Sequence, residues 1–142
     1  MKSVSIIASG KDITIGHKLR NEFIDHYNKN KDSLDYSVDV YGWKYIPLQY
    51  KLDGLKDYHF SIAIENMQMD NYFTEKIIDC FVTGTVPIYW GSPKLDEFFD
   101  TNGVITFNTL EELNNILNNL TLDDYNNRLD SIKYNFEVFE SI

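Results

Sequence analysis

The sequence predicts an α/β domain in which helices flank a parallel sheet. Three observations support this fold class. Short apolar runs alternate with segments of helical spacing, most runs end at Gly, Ser or Pro, and 142 residues fit one domain. Strands separated by helical segments are typical of βαβ units, so we expect one Rossmann-like domain over residues 1–142.

The first half of the chain predicts three strands and one long helix. The run VSIIA, residues 4–8, predicts a buried strand. Residues 15–27 predict an amphipathic helix, because apolar residues recur at helical spacing at Ile15, Leu19, Phe23 and Tyr27. The alternating segment 37–43 predicts the second strand, 48–58 a short broken helix or loop, and 59–64 the third strand.

A helix with both ends marked follows the third strand. Thr74 is the predicted N-cap, and Gly84 is a natural residue at the C′ position. The helix should bury one apolar face, formed by Ile77, Ile78, Phe81 and Val82.

The remaining segments predict two strands and the closing helices. The fourth strand is expected at 85–90, with Pro87 tolerable near its start, and the fifth at 103–107. Residues 110–120 and 122–139 predict two helices that close the domain.

Composition excludes several classes of function. With 13 basic and 22 acidic residues the net charge is −9, which argues against a nucleic-acid surface and an anionic membrane surface. An anionic ligand would therefore need one local basic site. Cys80, the single cysteine, is expected to be a buried structural thiol. With no signal peptide or membrane-spanning stretch predicted, we expect a soluble, cytoplasmic chain.

The segment ENMQMDNYFTEK, residues 65–76, points to an anion site. Lys76 lies in the first turn of the predicted helix, where a cation opposes the helix dipole. Ligands of open α/β sheets bind at the carboxyl ends of the strands, and phosphates bind at helix amino termini. Lys76 is therefore unfavourable for the helix but well placed for a diphosphate.

Position alone leaves alternatives open for these residues. The position of Lys76 is equally compatible with a lysine that faces solvent and binds no ligand. Glu65 and Glu75 could be surface acids, or carboxylates that bind ribose or sugar hydroxyls. Tyr72 could stack on a base or cover the core.

Residues 58–93, YHFSIAIENMQMDNYFTEKIIDCFVTGTVPIYWGSP, resemble the carboxy-terminal signature of the α-1,3-fucosyltransferases, the family 10 glycosyltransferases. That pattern runs roughly Tyr-Lys/Arg-Phe, Phe-Glu-Asn-Ser, Asp-Tyr-x-Thr-Glu-Lys and Gly-Thr-x-Pro-x-x-x-Gly-x-Pro. Three positions depart from it: His59 replaces a basic residue, Ile64 a Phe and Met67 a Ser. Upstream, HKLRNEFIDHY resembles the family helix whose arginine faces the diphosphate, which maps onto Arg20.

The resemblance implies the carboxy-terminal half of a GT-B glycosyltransferase, the half that binds GDP-fucose. Transfer would invert the anomeric centre, with the general base and the glycan acceptor site in a missing or separate amino-terminal domain. No catalytic residue is therefore assigned within this chain, and the chain alone would be inactive. No cofactor is expected. Asp70 and Asp79 lack the clustering of a metal site, but some family members are stimulated by divalent ions, so a metal requirement stays open.

The resemblance also assigns roles within the donor site. Arg20 and Lys76 would neutralise the diphosphate, and Glu75 would bind ribose or fucose hydroxyls. Glu65 would hold the sugar or orient Lys76. The same pocket would include Asn66, Tyr72 and Thr74.

Two alternatives of other classes remain. One is a non-catalytic nucleotide-sugar-binding or interaction module. The other is a Rossmann-like binder of another nucleotide, which the absence of a G-x-G-x-x-G motif disfavours.

Overall fold

A computed structural model describes residues 2–42 and 44–141 and confirms the parallel α/β fold. Within these residues, five strands form one sheet in the order β2-β1-β3-β4-β5, and all neighbours are parallel. The strands are β1 (Lys2–Ala8), β2 (Asp39–Gly42), β3 (Tyr58–Ile64), β4 (Val86–Trp90) and β5 (Ile105–Thr106). The last residue predicted for the second strand, Trp43, lies outside the described residues.

Helices and short 3₁₀ turns connect the strands. The α-helices are α1 (Ile15–Asn30), α2 (Glu75–Thr83), α3 (Leu110–Asn119), α4 (Leu122–Asn126) and α5 (Leu129–Glu140). The predicted broken segment 48–58 contains a 3₁₀ turn, Lys51–Gly54. The predictions of Thr74 as N-cap and Gly84 at the helix end are confirmed, and Gly84 has a left-handed φ of 70°.

Three details of the predicted helices are wrong. The segment 122–139 is two helices, because α5 turns to dock on residues 100–103, where Asn135 bonds both the N–H and the C=O of Asp100. Ile15 is exposed at the first position of α1, and Val82 is exposed near the end of α2. In both cases helical spacing predicted which face of the helix is buried. It did not predict how far along the helix that burial extends.

The strand order places a crevice between β1 and β3. The chain moves to one side of β1 to form β2, and then to the other side to form β3, β4 and β5. The order reverses between β1 and β3, and doubly wound sheets with this strand order bind ligands at such a switch point. We therefore expect the functional site at the carboxyl ends of β1 and β3.

Gly16 allows α1 to approach β3 at this switch point. Its N–H donates a hydrogen bond of 2.9 Å to the carbonyl of Asn66. A Cβ at position 16 would lie 1.7 Å from the carbonyl oxygen of Glu65. Only glycine therefore permits this backbone contact, which fixes the start of α1 against the start of the β3–α2 loop.

Candidate functional site

A cavity of about 270 Å³ lies at the switch point. Residues of β1 and β3 form its floor, and it is also lined by the β1–α1 loop, α1, the Lys51–Gly54 turn and the first half of α2. Its position matches the carboxyl-end crevice of doubly wound sheets.

Four basic side chains line this cavity although the chain as a whole is acidic. They are Lys11, Arg20, Lys51 and Lys76. Two carboxylates, Glu75 and Asp79, lie among them. The structure thus provides the local basic site that an anionic ligand would require in a chain of net charge −9.

Arg20 is buried and fixed by neighbouring oxygens. Its Nη2 donates to the carbonyls of Ser9 at 3.1 Å and Lys11 at 2.9 Å, and to Oδ1 of Asn21 at 3.0 Å. Burial lowers the pKa of Arg20 from its usual value, but a guanidinium remains charged in proteins. The structure therefore fixes a preoriented positive charge beside the carboxyl end of β1.

Glu65 lies behind the cavity and is completely buried. Oε2 accepts hydrogen bonds from the Thr74 N–H at 2.7 Å and the Tyr89 hydroxyl at 3.0 Å, and Oε1 accepts one from the Thr74 hydroxyl at 2.6 Å. Burial, and then the Glu65 carboxylate, raise the pKa of Tyr89 above its usual range, so this hydroxyl stays a donor. Two of these contacts join the Glu65 carboxylate to Thr74, the N-cap of α2, and its expected role, to hold the sugar or to orient Lys76, stays a prediction.

The Lys76 side chain lies near the same carboxylate at the start of α2. The Lys76 ammonium is 3.8 Å from Oε1 of Glu65, and the Lys76 side chain is one-third exposed. The distance is at the long end of an ion pair, so the ammonium keeps donors for a ligand in the cavity. Thr74 caps the helix by accepting from the Lys76 N–H at 3.3 Å while it also donates to Glu65.

The other predicted site residues divide into two groups. Half-buried Asn66 and exposed Glu75 line the cavity beside Lys76. Half-buried Tyr72 is outside the cavity lining, and its neighbour Asn71 has a left-handed φ of 64°. The structure thus brings Arg20, Asn66, Glu75 and Lys76 together, with Glu65 and Thr74 behind them, and leaves Tyr72 apart.

His17 is a cavity residue that the sequence did not single out. The imidazole Nδ1 of His17 accepts hydrogen bonds from the backbone N–H groups of Ile13 and Thr14. The backbone N–H of His17 donates to the Thr14 hydroxyl. Burial lowers the pKa of His17 below 6.5, and Arg20, Lys76 and Lys11 lower it further, whereas Asp12 opposes the shift. The side chain completes a capping box at the start of α1 as a neutral imidazole.

This lowered pKa predicts a pH-dependent contribution to stability. An unfolded chain binds a proton at His17 near pH 6.5, but the folded chain does so only at lower pH. The stabilisation is therefore complete above about pH 6.5 and is lost as the pH falls toward the folded-state pKa. Urea denaturation can measure the unfolding free energy at pH 7.5 and at pH 5.0. The decrease from pH 7.5 to pH 5.0 should be smaller for His17→Gln than for the wild type.

The glutamine variant isolates the titration, because Gln at this position retains the capping-box contact. The lowered pKa of His59 contributes with the same sign in both proteins and cancels in the comparison. Equal pH dependence in the two proteins would contradict the prediction.

Lys11, Lys51 and Asp79 also line the cavity without having been singled out as site residues. Lys11 lies three residues after the end of β1, so the rule that ligands bind at the carboxyl ends of strands could have identified it. Lys51 and Asp79 are 28 residues apart in the sequence and meet only in the folded chain, where Nζ and Oδ2 are 2.6 Å apart.

Neither a cluster of metal ligands nor a membrane-spanning helix occurs among the described residues. Within residues 2–42 and 44–141, no three His, Cys, Asp or Glu side chains converge in a way that could bind a metal ion. No helix in the described part of the chain has the length and apolar character needed to cross a bilayer.

Known proteins resemble both the sequence and the structure. An α-(1,3)-fucosyltransferase from Helicobacter pylori is 42% identical over 55 residues, which are 39% of this chain and 12% of that protein. The Homo sapiens GDP-fucose protein O-fucosyltransferase 3 is 33% identical over 113 residues, 77% of this chain and 21% of that protein. A crystal structure of an α1,3-fucosyltransferase with GDP-fucose superposes with a TM-score of 0.70 at 24% identity, over 99% of this chain and 46% of that one.

The chain thus spans less than half the length of each of these proteins. The solved relative has a GT-B fold, and the five-stranded parallel domain corresponds to part of it. The family model "Glycosyltransferase family 10 (fucosyltransferase) C-term" matches residues 14–130, which include the cavity residues from His17 to Cys80 but not those of β1 and the loop after it. The chain therefore belongs to glycosyltransferase family 10, of which it carries the carboxy-terminal domain.

Proposed function

We propose that this chain is the GDP-fucose-binding domain of an inverting fucosyltransferase. The observation that carries the proposal is the start of α2, where the buried Glu65 carboxylate supports Lys76 on one side of a cavity that Arg20 also lines. A solvated surface lysine would have no need of a completely buried carboxylate behind it. A diphosphate in the cavity would meet two cations and the amino-terminal end of a helix dipole.

The remaining residues fit the other parts of a nucleotide sugar. Glu75 is exposed at the cavity beside Lys76, where its carboxylate can accept hydrogen bonds from ribose or fucose hydroxyls. Asn66 supplies both a donor and an acceptor at the end of β3. Tyr72 would join the site only if the 66–73 loop moves toward a bound ligand.

Transfer itself would need groups beyond this cavity. In a direct displacement, a general base removes the acceptor proton while the diphosphate leaves with its negative charge stabilised. Arg20 and Lys76 would supply that stabilisation from this domain. The base and the acceptor site would come from an amino-terminal domain. The acceptor would be a glycan or a protein, since one relative is named a protein O-fucosyltransferase.

A nucleotide panel tests this proposal. We expect isothermal titration of the full chain to show binding of GDP and GDP-fucose, with UDP, ADP and NAD weaker by about tenfold or more. UDP binding equal to or tighter than GDP binding would contradict a fucosyltransferase donor site. Binding of GDP-fucose without any transfer, even with an amino-terminal family 10 domain added, would favour a non-catalytic binding module.

A further inference from the structure

We propose that a second cavity, at the carboxyl ends of β4 and β5, binds an uncharged sugar of a glycan acceptor. This inference rests on the proposed function, because it takes the occupant of the first cavity to be a nucleotide sugar. It gives this domain a part of the acceptor site, in addition to the part expected from an amino-terminal domain.

The second cavity is separate from the first. Its volume is about 590 Å³, within the range of about 300–1,000 Å³ that is typical of small-molecule sites. The β3–α2 loop, the ends of β4 and β5 and the segments that follow these two strands form its walls. Among the described residues, its lining shares no member with that of the first cavity.

The two cavities differ in charge. Lysine and arginine are absent from the described lining of the second cavity, where Asp96 is the one carboxylate. Amides and aliphatic hydroxyls make up most of the remaining polar lining: Gln68, Ser92, Thr101, Thr106 and Asn108. A phosphate or a uronic acid would find no cationic partner here, whereas the hydroxyls of a neutral sugar can both donate to and accept from these groups.

Ser92 contributes a buried hydroxyl whose proton is not used by the described residues. Its side chain is 5% exposed, and its oxygen accepts a hydrogen bond from the Lys94 N–H at 3.2 Å. This bond uses a lone pair, and the hydroxyl proton has no acceptor within the described part of the chain. Since buried polar groups are normally hydrogen-bonded, an oxygen of a ligand in the cavity would complete this group.

Two amides meet at the rim of the cavity. Nε2 of Gln68 donates to Oδ1 of Asn108 at 3.2 Å, and both side chains are exposed. The Gln68 oxygen and the Asn108 nitrogen have no further partner among the residues that the structure describes. The pair therefore presents an acceptor and donors side by side, which complements neighbouring hydroxyls on a sugar ring.

The inner surface of the cavity is apolar. Leu95, Val104 and Phe107 line it and are buried. A sugar ring has C–H groups on its faces and hydroxyls around its edge, so it suits an apolar inner surface with a polar rim.

The position of the cavity assigns its sugar to the acceptor side of the reaction. Tyr89 lines the second cavity and donates to Oε2 of Glu65, whose Oε1 lies 3.8 Å from the Lys76 ammonium in the first cavity. The buried Glu65 carboxylate is therefore part of the wall between the two cavities. A sugar in the second cavity would be a neighbour of the diphosphate end of a donor in the first.

The second cavity would bind and orient the acceptor without supplying the base. The acceptor hydroxyl oxygen would form a bond to the anomeric carbon of fucose, and the bond from that carbon to the diphosphate oxygen would break. The hydroxyl proton would go to the carboxylate base expected in the amino-terminal domain.

The test follows sugar binding to the isotope-labelled full chain by NMR. The probes are two neutral disaccharides (lactose and N,N′-diacetylchitobiose), glucuronic acid as an anionic sugar, and a peptide with serine and threonine hydroxyls. The backbone amides of Gly91, Ser92 and Asn108 report on the second cavity, and those of Glu75 and Lys76 report on the first. At least one disaccharide should shift the amides of the second cavity, with a dissociation constant of about 1–10 mM, and glucuronic acid should bind about tenfold more weakly.

Three variants locate the binding. Thr106 is exposed at the end of β5, so Thr106→Phe should fill the cavity and weaken disaccharide binding by about tenfold or more. Asn108→Ala removes one rim amide and should weaken binding by about tenfold. Asn118→Ala, at an exposed asparagine on α3, is the matched control and should keep the wild-type affinity. Asn108→Ala also tests the proposal if Thr106→Phe does not fold.

The outcomes distinguish this inference from the proposed function. Binding of GDP at the first cavity, with no shift of the second-cavity amides by either disaccharide, would overturn the sugar site and leave the donor site intact. A shift caused by the peptide alone, tighter binding of glucuronic acid, or unchanged disaccharide affinity in either folded cavity variant would also overturn it. A chain that binds a disaccharide there but no GDP would overturn the proposed function and, with it, the acceptor role of the sugar.

Discussion

Replacing Gly16 by alanine should strongly destabilise the domain and separate α1 from β3. The added Cβ would lie 1.7 Å from the carbonyl oxygen of Glu65, 2.7 Å from its carbonyl carbon and 2.9 Å from Cα of Asn66. All three are backbone atoms, so no side-chain rotation relieves the collision. Overpacking typically costs about 1–3 kcal/mol, and a rigid backbone collision should reach or exceed the upper end of that range.

The Gly16→Ala substitution should also disrupt the candidate site, because α1 carries two of the cavity residues. Arg20 and His17 lie on this helix, and Glu65 and Asn66 begin the loop that leads to α2. Movement at the contact would therefore separate the two halves of the cavity. We expect Gly16→Ala to lose measurable GDP-fucose affinity even under conditions in which the domain remains folded.

Gly84→Ala is the matched control for this substitution. Gly84 has a φ of 70°, so alanine there is strained by roughly 1–2 kcal/mol, but its Cβ would meet no atom within 4 Å. Urea denaturation should show a larger loss of unfolding free energy for Gly16→Ala than for Gly84→Ala. Only Gly16→Ala should reduce the affinity for GDP-fucose. A Gly16→Ala protein within about 1 kcal/mol of the wild type would contradict the close approach of α1 to β3.

Local chemistry explains which elements could be predicted from sequence. Strands β3 and β4 are short runs that are almost wholly buried. Helix α2 has an N-cap at Thr74 and a left-handed Gly84 at its end, so its ends follow from neighbouring residues alone. The division of the last predicted helix depends instead on Asn135 bonding to Asp100, a contact 35 residues apart. Sequence periodicity contains no information about such a partner.

The same distinction applies to the candidate site. Lys76 could be singled out because a cation in the first turn of a helix is locally unfavourable. His17 looked unremarkable, because its role depends on Nδ1 capping α1 while the ring faces cations from two other segments. The Lys51–Asp79 pair depends on the 3₁₀ turn docking across the sheet. Sequence thus indicated the strand-end anion site but not the residues brought there from elsewhere.

Lys76→Met should weaken GDP-fucose binding by about tenfold to a hundredfold. The lost interaction is a hydrogen bond between charged groups, worth about 1.5–3 kcal/mol. Position in the sequence alone would predict slightly higher stability, because the substitution removes a cation from the positive end of the helix dipole, worth about 0.3–1 kcal/mol. The structure changes that expectation, because the ammonium of the same lysine lies 3.8 Å from the completely buried Glu65 carboxylate.

The net stability change depends on which of these two effects is larger. Glu65 keeps its three hydrogen bonds from Thr74 and Tyr89 in the variant, so its charge would not be left without donors. Losing the ammonium at 3.8 Å should still cost more than the dipole gain, and we expect a net loss of about 1 kcal/mol. Lys133 is an exposed lysine on α5, so Lys133→Met is the charge-matched control. It should change neither the GDP-fucose affinity nor the unfolding free energy.

A double-mutant cycle with Glu65→Gln separates support from ligand contact. If Glu65 acts through Lys76, Glu65→Gln alone should weaken GDP-fucose binding less than Lys76→Met does. The double variant should then bind no more weakly than Lys76→Met, because the supported group is already absent. Calorimetric titration and urea denaturation of the four proteins give the coupling in affinity and in stability. Additive losses of affinity would mean that Glu65 contacts the sugar nucleotide itself, and an unchanged affinity in Lys76→Met would exclude Lys76 as the diphosphate ligand.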